Sequence, residues 1–271
     1  DPTDSEIVYV ATEEGLYKSS DGGDSWEEKN DGLPGEDIAS ITIDPVDSET
    51  IYVLSDNILY KSTNGGEDWA NSQEGVYYEE EDGLFYDHNL EEVAVSMTNP
   101  NILYIQTKGE GKYYKSEDKG ETWTEQSRGY SPGGRGVLVV DPTDENVIYS
   151  AVIGGLIKSY DAGETWNEIN NRLTIGQMAA VAIDPTDSDI VYAGGIDSTG
   201  IQKTEDGGFS WEEINEGLYE CDSEGCNLDS QPQIFSLTID PSNPEVIYAG
   251  TENNGVFRSE DSGESWDRIN N

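Results

Sequence analysis

Asp87 and His88 are the first place to look for chemistry, because a carboxylate beside an imidazole can move protons at neutral pH. His88 is the only histidine of the chain, and no nucleophile signature accompanies the pair. Cys221 and Cys226 lie in the polar stretch YECDSEGCNLDS, and their spacing suits a small disulfide ring in an oxidising compartment. Two thiols and a distant imidazole do not complete a zinc site. Glu79, Glu80, Glu81 and Asp82 form an acid run whose spacing matches no Ca²⁺ loop and reads as solvated charge. Glycoside hydrolysis needs two carboxyl groups about 5–9.5 Å apart. The 57 Asp and Glu supply candidates without nominating a pair. Arg128 and Arg135, in SRGYSPGGRG, have two readings: holding an anionic group of a ligand, or pairing with neighbouring carboxylates. P-loop and dinucleotide fingerprints are absent. The sequence therefore assigns no catalytic residue, no metal and no cofactor.

What must position any site is a repeat. SSDGGDSW (19–26), STNGGEDW (62–69), SEDKGETW (116–123), SYDAGETW (159–166), TEDGGFSW (204–211) and SEDSGESW (259–266) are copies of one octet. Their third positions are Asp21, Asn64, Asp118, Asp161, Asp206 and Asp261, and their last are Trp26, Trp69, Trp123, Trp166, Trp211 and Trp266. Each octet is preceded by a turn such as DPTDSE, an apolar run ending in Tyr, and a second short run such as GLYKS. Upstream of the DP turns sit IASITI, LEEVAVSM, GVLVV, MAAVAI and IFSLTI. Four short runs rich in Val, Ile and Tyr, with Gly, Asp and Pro between them, predict four strands per unit. Units recurring at roughly 43 residues predict a β-propeller. The expectation is six four-stranded antiparallel blades with strands A to D from the axis outward, in one domain over 1–271. The first blade lacks its strand A in this sequence, and a longer parent chain has room for a seventh. A residue needed for catalysis would not be copied into every blade, so the octets read as structural turns between strands C and D. Lys18, Lys61, Lys115, Lys158, Lys203 and Arg258 precede the octets once per blade. They are expected to pair across to strand-D acids such as Glu27 and Glu212.

The octets resemble the Asp boxes (BNR repeats) of sialidases, xyloglucanase-type glycoside hydrolases, the sortilin family and photosystem assembly factors. That resemblance covers essentially the whole chain and implies the propeller fold; the functions carried on that scaffold are unrelated to one another. A sialidase holds its substrate with three arginines, the first in a Phe/Tyr-Arg-Ile-Pro-like motif ahead of the boxes. Here that motif is missing, and Arg128, Arg135, Arg172, Arg258 and Arg268 all follow residue 127. Xyloglucanase-type enzymes pair two propellers into a cleft, and this chain supplies one.

The formal net charge is −43, from 57 acidic and 14 basic residues. Such self-repulsion is screened at molar salt, where the Debye length is about 3 Å. The expected setting is extracellular or at a cell surface in brine. Nucleic acid and anionic membranes are disfavoured as partners, and no segment is apolar enough for membrane insertion. The chain reads as a mature or excised piece of a larger protein or assembly.

Binding is expected where the repeat breaks. The octet tryptophans are 43, 54, 43, 45 and 55 residues apart, and the two long intervals place insertions at 73–92 and 216–233. Both fall in D-to-A connections, on the face opposite the octets and three blades apart. Subtracting the repeat leaves Tyr77, Tyr78, Phe85, Tyr86, Tyr130 and Tyr219 in such loops. With Arg128 and Arg135 they are the candidate ligand-binding residues, the aromatics reading equally as contact residues or as small cores of their own loops. The expected function is non-catalytic recognition of a protein or glycan. The alternatives are a polysaccharide-processing domain and an extracytoplasmic assembly factor.

Overall fold

The computed structural model describes residues 1–12, 14–35, 38–80, 83–86, 90–107, 112–126, 137–152, 154–174, 176–197, 199–222, 225–227 and 231–269. The fold is a six-bladed β-propeller of antiparallel sheets with no helix among these residues. The chain divides into two compact units, Asp1–Ser131 and Pro132–Asn271, with three blades in each.

In the first unit, blade 1 has three strands: Val8–Thr12, Gly15–Ser19 and Glu27–Glu28. Blade 2 has four, Ile38–Ile43, Ile51–Ser55, Ile58–Ser62 and Ala70–Asn71, and blade 3 has Leu90–Val95, Leu103–Thr107, Tyr113–Ser116 and Thr124–Glu125. In the second unit, blade 4 comprises Val137–Val140, Ile148–Val152, Gly155–Ser159 and Asn167–Glu168. Blade 5 comprises Met178–Ile183, Val191–Gly195, Ile201–Thr204 and Glu212–Glu213, and blade 6 Ile234–Ile239, Ile247–Thr251, Val256–Ser259 and Asp267–Arg268. Strand B is an unbroken apolar run because both its faces are covered: Ile51–Ser55, Leu103–Thr107, Ile148–Val152 and Val191–Gly195 are buried throughout. Strand D is two residues long and exposed in every blade.

The cores lie between successive blades. Leu54, Leu59 and Tyr52 of blade 2 pack with Val93, Leu103 and Ile105 of blade 3, and Leu156 of blade 4 packs with Val181 and Val191 of blade 5. Two donors then stitch neighbour to neighbour. The octet indole reaches back: Trp69 Nε1–H donates to the Lys29 carbonyl (2.9 Å), Trp123 to Ser72 (2.7 Å), Trp211 to Ile169 (2.7 Å) and Trp266 to Ile214 (2.8 Å). The strand-B tyrosine reaches forward: Tyr9 O–H donates to the Gly65 carbonyl (3.1 Å), Tyr52 to Lys119 (2.9 Å), Tyr149 to Ser188 (3.4 Å) and Tyr192 to Ser262 (3.1 Å). A buried phenol or indole needs such a partner, since leaving it unmatched costs about 1–3 kcal/mol.

The octet turn is built from hydroxyl and carboxylate groups. Thr204 Oγ1 donates to Asp206 Oδ1 (2.7 Å) and accepts from the Gly208 N–H (3.0 Å). Asp206 also accepts from the Ser210 N–H (2.8 Å) and hydroxyl (2.6 Å). These donors, with the Ser210 hydroxyl foremost, push the Asp206 carboxyl down to about 2. In the second octet Asn64 replaces the aspartate, and its amide donates to Asp68 (3.0 Å), so the two departures from the pattern compensate each other. The fourth octet position is left-handed, at φ 61° for Lys119, 59° for Ala162 and 59° for Ser262. The fifth is glycine in all six, for example Gly120 at φ 80° against the Trp123 ring.

One expectation is corrected. Lys18 and Lys203 do stand opposite Glu27 and Glu212 in register, yet they do not pair with them. Lys203 binds Glu205 (2.6 Å), Lys61 binds Glu121 of the next blade (2.7 Å), and Arg258 binds Glu260 (2.6 Å). Their other cross-strand neighbour, the strand-B tyrosine, takes the cation on its ring, at 4.6 Å for Lys158 on Tyr149 and 5.3 Å for Lys18 on Tyr9. A ring that excludes water holds a cation better than an acid on an exposed outer strand.

Candidate functional site

The insertions do not extend the blades. Tyr77–Glu80 pairs with Gly83–Tyr86, and Glu220–Asp222 with Gly225–Asn227, each as a separate two-stranded antiparallel sheet. In the first hairpin Tyr77 stands opposite Tyr86 and Tyr78 opposite Phe85. In the second, Cys221 stands opposite Cys226. The register therefore brings four of the eight candidate residues together. Tyr219 packs edge-on against Phe257, with ring centroids 5.7 Å apart, and joins the core between blades 5 and 6. Arg128, Tyr130 and Arg135 lie outside the described residues, as do Glu81, Asp82, Asp87 and His88.

The connection leading into each insertion is tightly closed. The Trp123 N–H donates to the Glu74 carbonyl and the Trp266 N–H to the Glu216 carbonyl, both at 2.8 Å. Gly75 and Gly217, the next residues, have φ of 99° and 87° and lie against the backbone of Trp123 and Trp266. Each insertion thus begins at a glycine held against the octet of the following blade.

Two features escaped the sequence reading. The first is Glu92 on strand A of blade 3, beside the bulge at Leu90/Glu92. The Ser40 hydroxyl of blade 2 donates to its Oε1 at 2.7 Å. Burial pushes its carboxyl up to about 7. The signal was there: among the strand-A runs, LEEVAV carries acids where IASITI, MAAVAI and IFSLTI carry none. The folded state holds this proton up to about pH 7, whereas an unfolded glutamate releases it near its ordinary 4.5. Stability is therefore lost as pH rises through that window. Glu92→Gln, neutral throughout, is expected to raise the unfolding midpoint at pH 8 and to match the parent at pH 4.5. Thermal melts at both pH values check this, and a difference independent of pH would refute it.

The second is a groove of about 540 Å³ between blades 4 and 5 on the octet side, lined by Tyr160, Asn167, Glu168, Ile169, Asn171 and the octet residues Gly207 to Phe209. Tyr160 is 53% exposed and Phe209 75%. Their signal was a departure within the repeat rather than between repeats. Tyr160 takes the second octet position, where the others have Ser20, Thr63, Glu117, Glu205 and Glu260. Phe209 takes the sixth, where the others have Asp24, Glu67, Glu121, Glu164 and Glu264. Among the described residues no group of three or more His, Cys, Asp or Glu side chains could hold a metal ion.

The chain resembles known proteins in fold and not in sequence. No family model matches it, and no curated protein sequence matches it. Solved structures do. A GH74 xyloglucanase from Xanthomonas campestris matches at TM-score 0.71 and 19% identity over 98% of this chain and 46% of its own. YCF48 bound to D1 peptide matches at 0.64 and 15%, over 98% of this chain and 79% of its own. The extracellular domain of BT4673 from B. thetaiotaomicron matches at 0.64 and 16%, over 99% of this chain and 32% of its own. All are β-propellers. The chain shares their fold. It spans less than half the length of the GH74 enzymes it matches. Among the described residues no helix is long and apolar enough to cross a membrane.

Proposed function

We propose that this chain is a non-catalytic recognition module of a secreted or cell-surface protein adapted to high salt, contacting a protein or glycan through its D-to-A loops. The observation that carries the reading is the hairpin Tyr77–Glu80/Gly83–Tyr86, a sheet separate from every blade that sets four aromatic residues in cross-strand register. A long loop on a rigid scaffold is a favoured place for binding. The octets are read as Asp boxes of the BNR type, supported by the same hydroxyl–carboxylate turn from blade to blade. Propellers of this fold include one bound to a peptide, one named a xyloglucanase and one named an extracellular domain, which supports both partner classes and the location. The net charge of −43 supports the salt adaptation.

The test combines sedimentation with insoluble polysaccharides and a reducing-end assay, at molar and at low salt. A glycan-binding module sediments at molar salt without releasing reducing ends, loses that binding on Tyr77→Ala with Tyr78→Ala, and loses its fold as salt is withdrawn. Release of new reducing ends would overturn the non-catalytic reading in favour of a polysaccharide-processing domain. Glu92, with its raised carboxyl, would then be the first residue to replace.

A further inference from the structure

We propose that the open edge of blade 1 is a strand-acceptor site: Val8–Thr12 takes an extended apolar segment of a partner polypeptide as a fourth strand, a contact separate from the D-to-A loops. Blades 2 to 6 each carry four strands, and in each the strand equivalent to Val8–Thr12 is paired on both edges. Val8–Thr12 pairs with Gly15–Ser19 on one edge, and among the described residues no strand pairs with the other. Val10 is 37% exposed, whereas the residues at its register level in the other blades, Val53, Ile105, Ser150, Ala193 and Ala249, are fully buried. Unpaired backbone N–H and C=O groups beside an exposed valine suit an added strand, since main-chain hydrogen bonds supply affinity and side-chain positions supply selectivity. The acceptor is held in place before anything binds. Tyr9 packs against Ile51, Val53 and Trp69 of blade 2, and its O–H donates to the Gly65 carbonyl at 3.1 Å.

The five complete blades specify the occupant. Opposite the strand-B residues equivalent to Val10, Tyr9 and Val8 stand, in that order, ITI (41–43), VAV (93–95), LVV (138–140), VAI (181–183) and LTI (237–239). The first place always holds a branched apolar residue, and the third always Ile or Val. The middle place faces the tyrosine and holds Thr, Ala or Val, never a larger residue, because the ring already fills that side. No charged residue appears at any of these places. The site therefore selects an antiparallel segment of the pattern Leu/Ile/Val, Ala/Thr/Val, Ile/Val. It rejects proline, which has no N–H for the ladder, and it rejects charge, which would lose its water against Val10.

The probe is a fluorescein-labelled peptide reproducing residues 38–45, IASITIDP, titrated with the 271-residue chain at molar salt and followed by fluorescence anisotropy. It should bind saturably, and the amides of Val8–Thr12 that face the open edge should exchange with solvent more slowly in the complex. The Ile41→Ser peptide should bind about tenfold more weakly, as should the unaltered peptide to Val10→Ser protein, each losing the burial of one branched side chain. Val10 is exposed, so Val10→Ser is expected to fold; Val46→Ser, at an exposed residue between strands A and B of blade 2, should leave the affinity unchanged. The peptide variant and the exchange measurement decide the outcome without relying on Val10→Ser. Failure of the peptide to bind, equal binding of the Ile41→Ser peptide, or slowed exchange elsewhere but not at Val8–Thr12 would overturn the proposal. So would self-association of the chain, seen by sedimentation velocity and abolished in Val10→Ser, which would make a second copy the occupant.

Discussion

Gly75→Ala is expected to destabilise the first unit by about 3–5 kcal/mol, far more than one methyl group costs at an open site. Gly75 sits at φ 99°, a conformation that costs an L-residue about 1–2 kcal/mol. A Cβ there would be driven into the carbonyl oxygen of Trp123, with the carbonyl carbon and the amide nitrogen of that residue at 3.1 Å. Neither side can give way, because the Trp123 N–H is bonded to the Glu74 carbonyl at 2.8 Å, one residue from the substitution. Gly154 supplies the control: its φ is 97°, and an added Cβ would meet nothing within 4 Å. Gly154→Ala should therefore cost only the backbone term. Urea unfolding of both variants at molar salt separates the two contributions. Equal losses would show that the close approach at Trp123 carries no energy.

The second large effect is expected from the octet tryptophans, and it should be unequal among them. Trp123 is 4% exposed and bonded to the Ser72 carbonyl at 2.7 Å, so Trp123→Ala removes a buried indole and orphans an acceptor. The expected cost is about 3–5 kcal/mol. Trp26 occupies the same octet position but is 44% exposed, and Trp26→Ala should cost well under half as much. Denaturant midpoints of the two variants, compared with the parent, give the ratio directly. A Trp26→Ala loss as large as that of Trp123→Ala would mean that the first indole is packed in solution as fully as the third.

The architecture was readable because its causes are local and repeated. The DP turns, the apolar runs ending in Tyr and the Gly of the octets each dictate backbone shape through their own side chains, so six copies amplify one signal. Asn64 with Asp68 shows how local that code is, since a swap of acceptor for donor within five residues leaves the turn intact. Pairing between side chains was less legible. Lys18 and Lys203 have a tyrosine on one side and an acid on the other at the same register level, and the choice between them depends on which neighbour excludes water. That is a property of packing, invisible in spacing. The candidate sites were legible only in part for the same reason. Subtracting the repeat located the insertion that carries Tyr77 to Tyr86, and it left Tyr219 in a loop as either a contact residue or part of a small loop core, whereas the ring rests on Phe257 of a strand 38 residues away. Glu92 needed Ser40 from another blade to become unusual. Tyr160 and Phe209 hid inside octets whose conserved look as a set drew attention to what they share.

The paired stitches between blades bear on how such a chain can change in length. Blades 2 and 5, the middle repeat of each unit, each send one indole hydrogen to the repeat behind and one phenol hydrogen to the repeat ahead, and offer a carbonyl in each direction in return. Copying such a repeat whole therefore copies both donors with both acceptors, and an inserted copy meets the same pair of stitches on either flank. Copying half a repeat would strand one of them. A gene carrying this pattern can grow or shrink by entire units of about 43 codons while the seams stay chemically balanced, which ties the duplication length to the hydrogen-bond register rather than to the strand count.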